Sequence, residues 1–289
     1  MVLPLDKDLN KKLISCPCCN CSNQNNYVVL QNTPEVRMVK CGKCKLAYAN
    51  KFPKESYLEQ LYNPKIYQSN LTNDIKITSR LAKKIFKIFN FNKKNISILD
   101  YGGGNGNLSY MLLNLFKKKN IKANILIVDI YNSCTHQDIG FEHVQDFKKN
   151  NEKFDIVLAS AVLEHLPDFT SITSALLDRV STYGFFYCRT PWEFEISKIF
   201  KFYKIKWPRH LYDIGGDYWF RYFKKKNYTI LLSNTSITEI SNKQIFKYIF
   251  AQLLKTISRI ETYMFKNNMF YDPKWPYVGG WDLIVKKND

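Results

Sequence analysis

From residue 96 onward, short apolar runs alternate with helix-length stretches: Ile96 to Leu99, Asn124 to Val128, Phe141 to Val144, Phe154 to Ala159 and Gly184 to Cys188. Brief runs rich in Val, Ile, Leu and Phe, separated by helices, predict βαβ units and a parallel sheet covered on both faces. The first intervening helix is predicted from Asn107 to about Lys118. After Thr190 the periodicity becomes irregular and aromatic. A strand at Tyr228 to Leu232, a long apolar helix near 243–265 and a final strand at Trp281 to Val285 complete the pattern. Ahead of residue 96, the chain reads as a lead-in (1–14), a short strand at Tyr27 to Leu30, a helix at Tyr57 to Tyr62 and a basic amphipathic helix near Ile75 to Phe89. Three segments result: a small module over 1–50, a helical linker over 51–95 and an α/β domain over 96–289.

Cysteine placement gives the small module its chemistry. Six of the eight cysteines fall between Cys16 and Cys44, and Cys134 and Cys188 stand alone. Cys16-Pro17-Cys18-Cys19 and Cys41-Gly42-Lys43-Cys44 are C-x-x-C knuckles with a spacer of 21 residues. Each such turn aims two thiolates at one point, and two turns complete the tetrahedral shell that zinc requires. Cys18 and Cys21 form an overlapping pair. Pro17 suits the turn, which favours Cys16, Cys19, Cys41 and Cys44 as ligands. Four protein ligands close the shell, so this zinc is expected to be structural.

Composition narrows the classes. A hydrophobic content of 45% and an aromatic content of 15% exclude a disordered chain. No apolar run approaches the roughly 18 residues needed to span a bilayer. Met1 to Lys12 lacks the apolar core of a secretion signal, so a cytoplasmic location is expected. The formal charge is +18, but 36 of the 43 basic residues are lysines spread in short runs along the whole chain. That distribution describes a solvated surface better than a phosphate-gripping stripe, and suits attraction of an anionic or phosphorylated small molecule. Nucleic acid is the competing partner. Against it, the chain has neither an Arg-rich stripe nor an Asn-Pro-Pro-Tyr loop.

The densest chemistry lies where the first strand of the α/β domain meets its helix: Asp100-Tyr101-Gly102-Gly103-Gly104-Asn105-Gly106. Glycines at a strand-to-helix turn let backbone approach a ligand. The acid at the strand end suits the amino group of an amino-acid-bearing cofactor and is misplaced for a pyrophosphate. The second strand ends in Asp129, where a carboxylate can take both hydroxyls of a ribose. After the third strand come Asp146 and Phe147, an acid for an adenine amino group and a ring to cover the base. The fourth strand runs Phe154 to Ser160 and continues Ala161-Val162-Leu163-Glu164-His165.

The order LDYGGGNG, IVD and FDIVLASAVLEHL resembles class I S-adenosylmethionine (SAM)-dependent methyltransferases over roughly residues 75–289. The stretch from Cys41 to Asn50, followed by Tyr57 to Tyr62, resembles the zinc-ribbon extension of a bacterial subset associated with sugars, surface polysaccharides and secondary metabolites. The resemblance implies a Rossmann-like seven-stranded sheet with its last strand antiparallel, and SAM at the carboxyl ends of the strands. Asp100, Gly102, Gly104 and Gly106 match the first motif, Asp129 the ribose acid and Asp146 the adenine contact, and Ser160 is placed near the methionine moiety. Quinone-biosynthesis O-methyltransferases carry E-V-L-E-H after the fourth strand, with acids linked to a divalent metal. Here Ala161 replaces the first acid, which argues against a catalytic metal.

Methyl transfer needs the acceptor held near the methyl group, and hydroxyl or carbon acceptors gain from a base of near-neutral pKa. His165 and His210 are the candidates; His136 and His143 read as surface or strand-edge residues. Residues 190–222 interleave Trp192, Phe194, Phe200, Phe202, Tyr203, Trp207, Tyr212, Tyr218, Trp219 and Phe220 with Lys and Arg. They read either as an aromatic lid over a sugar or phosphorylated substrate or as a cap packed on the sheet. The helix near 243–265 suits packing on the sheet or in a homodimer, with membrane association as the weaker option.

Overall fold

The computed structural model describes residues 3–63, 75–89, 93–147, 151–199, 205–235, 253 and 280–289. The helix expected near 243–265 and the aromatics Phe200, Phe202 and Tyr203 lie outside the described residues. Among the described residues no helix is long and apolar enough to cross a membrane.

The small module opens with β1 (Gln24–Gln31), β2 (Val36–Cys41) and β3 (Ala47–Ala49), antiparallel neighbours in that order. Helices α1 (Glu55–Leu61) and α2 (Ile75–Ile88) follow. Helix α2 buries Leu81, Ala82 and Ile85, a spacing that repeats on one helical face. The α/β domain then runs β4 (Asn95–Tyr101), α3 (Asn107–Lys117), β5 (Lys122–Asp129), β6 (Gly140–His143), α4 (Val144–Phe147), β7 (Phe154–Ser160), α5 (Phe169–Asp178) and β8 (Val180–Pro191). After it come α6 (Phe194–Ile199), β9 (Tyr212–Asp213), α7 (Gly216–Phe223), β10 (Tyr228–Thr235) and β11 (Gly280–Lys287).

A seven-stranded sheet has the order β10-β11-β8-β7-β4-β5-β6. Strands β4 to β8 pair in parallel, and β11 is antiparallel to both β8 and β10. The sequence reading of a doubly covered sheet holds, because alternate residues enter different cores. Ile156 and Leu158 of β7 pack with α2 and α3, whereas Val157 and Ala159 face the other way. Strands β5 and β6 extend to one side of β4 and β7 returns on the other, so the direction of winding reverses beside β4. A crevice is expected at the carboxyl ends of the strands at that point.

The second sheet, β1-β2-β3-β9, takes its fourth strand from 163 residues beyond β3: Tyr212 and Asp213 pair with Tyr48 and Ala47. The cysteine segment therefore does not close at residue 50. The described aromatics of 190–222 are mostly buried at this junction. Trp192, Phe194, Trp207, Tyr212, Tyr218 and Trp219 are each at most 5% exposed. Trp207 Nε1 donates to Gln31 Oε1 (3.1 Å), and Phe194 packs with Met38 and Ala47. Of the two readings offered by the sequence, these side chains follow the packed cap. A further brace ties α2 to the sheet: Lys84 Nζ lies 2.6 Å from the buried Asp282 carboxylate, which also accepts from Tyr187 Oη (3.0 Å).

Candidate active site

At the reversal of winding lies an open cavity of about 1220 Å³. Its floor is the loop Asp100 to Asn105, with Asp129 to Tyr131 after β5, His143 to Gln145 after β6 and Ser160 to Val162 after β7. Its other lining includes Leu58 and Leu61 of α1, Tyr62 just after that helix, and Arg189, Arg209 and His165. Ligand pockets usually span about 300–1,000 Å³, so this cavity is large enough for a small-molecule ligand.

Glycine is required in the loop. Gly102, Gly104 and Gly106 have φ of +69°, +55° and +74°, a region that side chains rarely adopt. A Cβ on Gly102 would also meet Val162 at 2.5 Å. The loop is latched by its two acids. Asp129 accepts from Gly104 N (2.9 Å) and from Ile130 N (2.7 Å), while Asp100 accepts from Ser109 Oγ (2.7 Å) in the first turn of α3. Both carboxylates are nearly sealed from solvent. Burial pushes the Asp100 pKa up to about 7; the Ser109 hydrogen bond opposes that rise and the nearby Asp129 charge adds to it. Two acids in one small space favour a cationic group between them.

The structure brings Asp100, Gly102, Gly104, Asp129, Ser160 and His165 to one cavity. Gly106 sits beneath it as the cap of α3. Asp146 and Phe147 are not among its lining residues. Phe147 is buried against Tyr101 (5.5 Å between centroids), under the Arg179 guanidinium, and Asp146 faces outward on the same short helix. A four-residue helix turns these two away, and His143, Val144 and Gln145 stand in their place. His143, read from sequence as a strand-edge residue, thus lines the cavity, whereas His136 stacks on Tyr110.

His210 lies behind His165, buried, with ring centroids 5.1 Å apart. His165 Nδ1 is 2.9 Å from the Arg209 carbonyl, and its Nε2 is 3.8 Å from Glu164 Oε1. Burial lowers the His165 pKa to about 4, lowers that of His210 well below its ordinary value and raises that of Glu164 to about 7. Ala161, which stands where the related motif has an acid, has φ of +57° and donates from its N–H to the Arg189 carbonyl (2.8 Å).

Sequence reading missed Arg189, Arg209 and the α1 wall. Arg189 was findable, since it stands at the carboxyl end of a parallel strand, where such sheets bind ligands. Arg209 and α1 arrive through tertiary packing and leave no local signal.

The cysteine site forms from Cys16, Cys19, Cys41 and Cys44, all sulfurs within 4.8 Å of one another. Cys16 Sγ to Cys44 Sγ and Cys19 Sγ to Cys41 Sγ are both 3.6 Å. A tetrahedron of Zn–S bonds of about 2.3 Å has edges of about 3.8 Å, so this donor set fits zinc. Each knuckle ends on a residue of positive φ, Asn20 (+55°) and Lys45 (+66°), which turns the chain back. The Lys43 N–H reaches Cys41 Sγ at 3.4 Å. Cys18 of the overlapping pair lies outside this set of four and has its Sγ 3.4 Å from Tyr218 Oη.

Comparison with known proteins agrees with this architecture. Residues 73–244 match the family described as Methyltransferase domain. The magnesium protoporphyrin IX methyltransferase (ChlM) from Synechocystis PCC 6803, solved with bound SAH, superposes with a TM-score of 0.50 at 13% identity, covering 81% of this chain and all of that one. The CurJ carbon methyltransferase gives a TM-score of 0.49 at 11% identity over 80% of this chain, which spans 61% of the CurJ structure. None of the curated proteins matches the chain.

Proposed function

The chain belongs to the methyltransferase-domain family, and from that premise we propose that it transfers the methyl group of SAM to a small-molecule acceptor, a sugar, nucleotide sugar or phosphorylated surface-polysaccharide precursor. The observation that carries this reading is the pairing of Asp100 and Asp129 beneath a positive-φ glycine loop at the carboxyl ends of β4 and β5. Asp129 offers its carboxylate to the ribose hydroxyls, Asp100 to the amino group, and Ser160 stands by the methionine portion. Bound SAM supplies an electrophilic methyl group on a sulfonium, and two buried acids favour that positive charge.

The protein's own contribution is positioning. In-line displacement needs the acceptor atom about 3–3.5 Å from the methyl carbon along the breaking bond. The α1 wall and Arg209 confine the acceptor, and Arg189 and Arg209 supply cations for a phosphate or carboxylate on it. His165 stands at this end of the cavity as the group that holds the acceptor or takes its proton, with His210 packed behind it. The Cys16, Cys19, Cys41 and Cys44 cluster holds a structural zinc, whose sheet supports the wall.

Calorimetric titration with S-adenosylhomocysteine tests the reading, with NADH and a short RNA as controls. Micromolar binding of the homocysteine product alone supports it and leads to a screen of nucleotide sugars. Binding of NADH or RNA in its place overturns it.

A further inference from the structure

Given the SAM reading above, on which this rests, we infer that His143 reads the cofactor's purine as a hydrogen-bond donor, so that the site accepts a 6-oxo purine as well as a 6-amino one. The sequence pattern assigned the base to the Asp146 carboxylate, which when ionised can only accept and so selects an amino group. Asp146 is not among the lining residues, whereas His143, Val144 and Gln145 are.

Strand register sets His143 beside the ribose acid. Strands β5 and β6 pair in parallel with Asp129 opposite His143, and both residues line the cavity. A ribose held by Asp129 directs its base toward the end of β6. The imidazole there is half-buried, and the chain that follows it fixes its tautomer. The Gln145 N–H donates to His143 Nδ1 (3.3 Å). A backbone N–H cannot accept, so in the neutral ring the hydrogen sits on Nε2. Among the described residues nothing accepts from Nε2.

The neighbouring groups do not favour one substituent over the other. Val144 offers no polar side-chain atom, and the Gln145 amide presents either its oxygen or its NH₂ after a half-turn. Asp129 already accepts from Gly104 N and Ile130 N and faces the proposed ribose. A donor at His143 Nε2 finds an acceptor on either base: N1 or N7 of adenine, N7 or the 6-oxygen of hypoxanthine. Sites that commit a fixed polar group to one substituent reject its analogue by about 10⁴- to 10⁵-fold. Here His143, Val144 and Gln145 commit no carboxylate to the amino group, and that penalty is absent.

Calorimetric titration of the full chain with S-adenosylhomocysteine and with S-inosylhomocysteine tests this. The two should bind the wild type within about tenfold of each other. His143→Ala should weaken both by about two- to tenfold, as expected for one hydrogen bond between neutral groups. His143→Asp should introduce selectivity, weakening the inosyl compound about 100-fold or more relative to the adenosyl one. A wild-type preference for the adenosyl compound larger than tenfold, or unchanged affinities in His143→Ala, overturns the inference and leaves the SAM reading standing. Failure of both compounds to bind the wild type overturns the SAM reading and this inference with it. The wild-type comparison does not depend on any variant folding.

Discussion

The cysteine cluster and the glycine loop are both tight turns that gather donors at one point, and both rely on positive-φ residues. They differ in what is left over. The four sulfurs of Cys16, Cys19, Cys41 and Cys44 face one another and turn their backs on the cavity, so a cation there has no position for a substrate. The loop from Asp100 to Gly106 instead leaves two carboxylates at the edge of a 1220 Å³ space. Closure marks the first as architecture and openness marks the second as chemistry. The two are nonetheless joined. Strand β9 completes the cysteine sheet, and the turn at 163–165 that carries His165 packs beside β9 through Leu211 N and the Glu164 carbonyl.

The largest effect is expected from breaking the closed site. Cys41→Ser with Cys44→Ser should release one zinc per chain and unfold the four-stranded sheet, given that structural zinc contributes about 10–16 kcal/mol in small peptides. Because Asn10, Pro53 and Leu58 line the cavity, methyl transfer should fall with it. Metal analysis and limited proteolysis check the first part. Cys18→Ser and Cys21→Ser should keep the zinc, and its loss in either would reassign the ligands. The open site should break differently. Asp129→Ala removes the acceptor for Gly104 N and the proposed ribose contact. A hydrogen bond to a charged group contributes about 1.5–3 kcal/mol, so S-adenosylhomocysteine should bind about 10- to 100-fold more weakly. Zinc content should not change, and a parallel loss of zinc would show that the two regions are one cooperative unit.

How much of each region could be read in advance follows from the range of the interactions. The glycine loop, Asp129 and the paired knuckles are local: a few consecutive residues fix the turn and aim the donors. The strands of the α/β domain were legible for the same reason, their apolar runs matching β4 to β8 to within a few residues. Phe147 was misplaced by sequence because a single short helix decides which way it faces, and Arg179 and Tyr101 make that decision from elsewhere in the chain. Strand β9 is two residues long and carries no periodicity. Only its pairing with Ala47 and Tyr48 makes it a strand, so the division at residue 50 could not be corrected from the sequence. The aromatics of 190–222 were ambiguous because wall and core use the same residues, and burial alone separates them.

The smallest effect is also the most specific to the open site. Asp100 has an ordinary pKa of 3.8 and is raised to about 7 by burial, so near pH 6 it holds a proton that the unfolded chain releases. The native state therefore binds more protons between pH 4 and 7, and this group's contribution to stability declines as pH rises through that window. A ligand amino group requires the carboxylate. S-adenosylhomocysteine affinity should then fall by up to tenfold per pH unit below about 7 and level off above it, with proton release on binding in acidic buffer. Asp100→Asn should bind more weakly throughout and lose the slope. The two terms share one cause, so the variant should also lose part of the decline in stability between pH 4 and 7, measured as the difference from wild type to cancel Glu164 and the histidines. Titration calorimetry in buffers of different ionisation enthalpy measures the proton count. A slope that survives in Asp100→Asn would place the titrating group outside the glycine loop and leave the cavity open on that side without a charged floor.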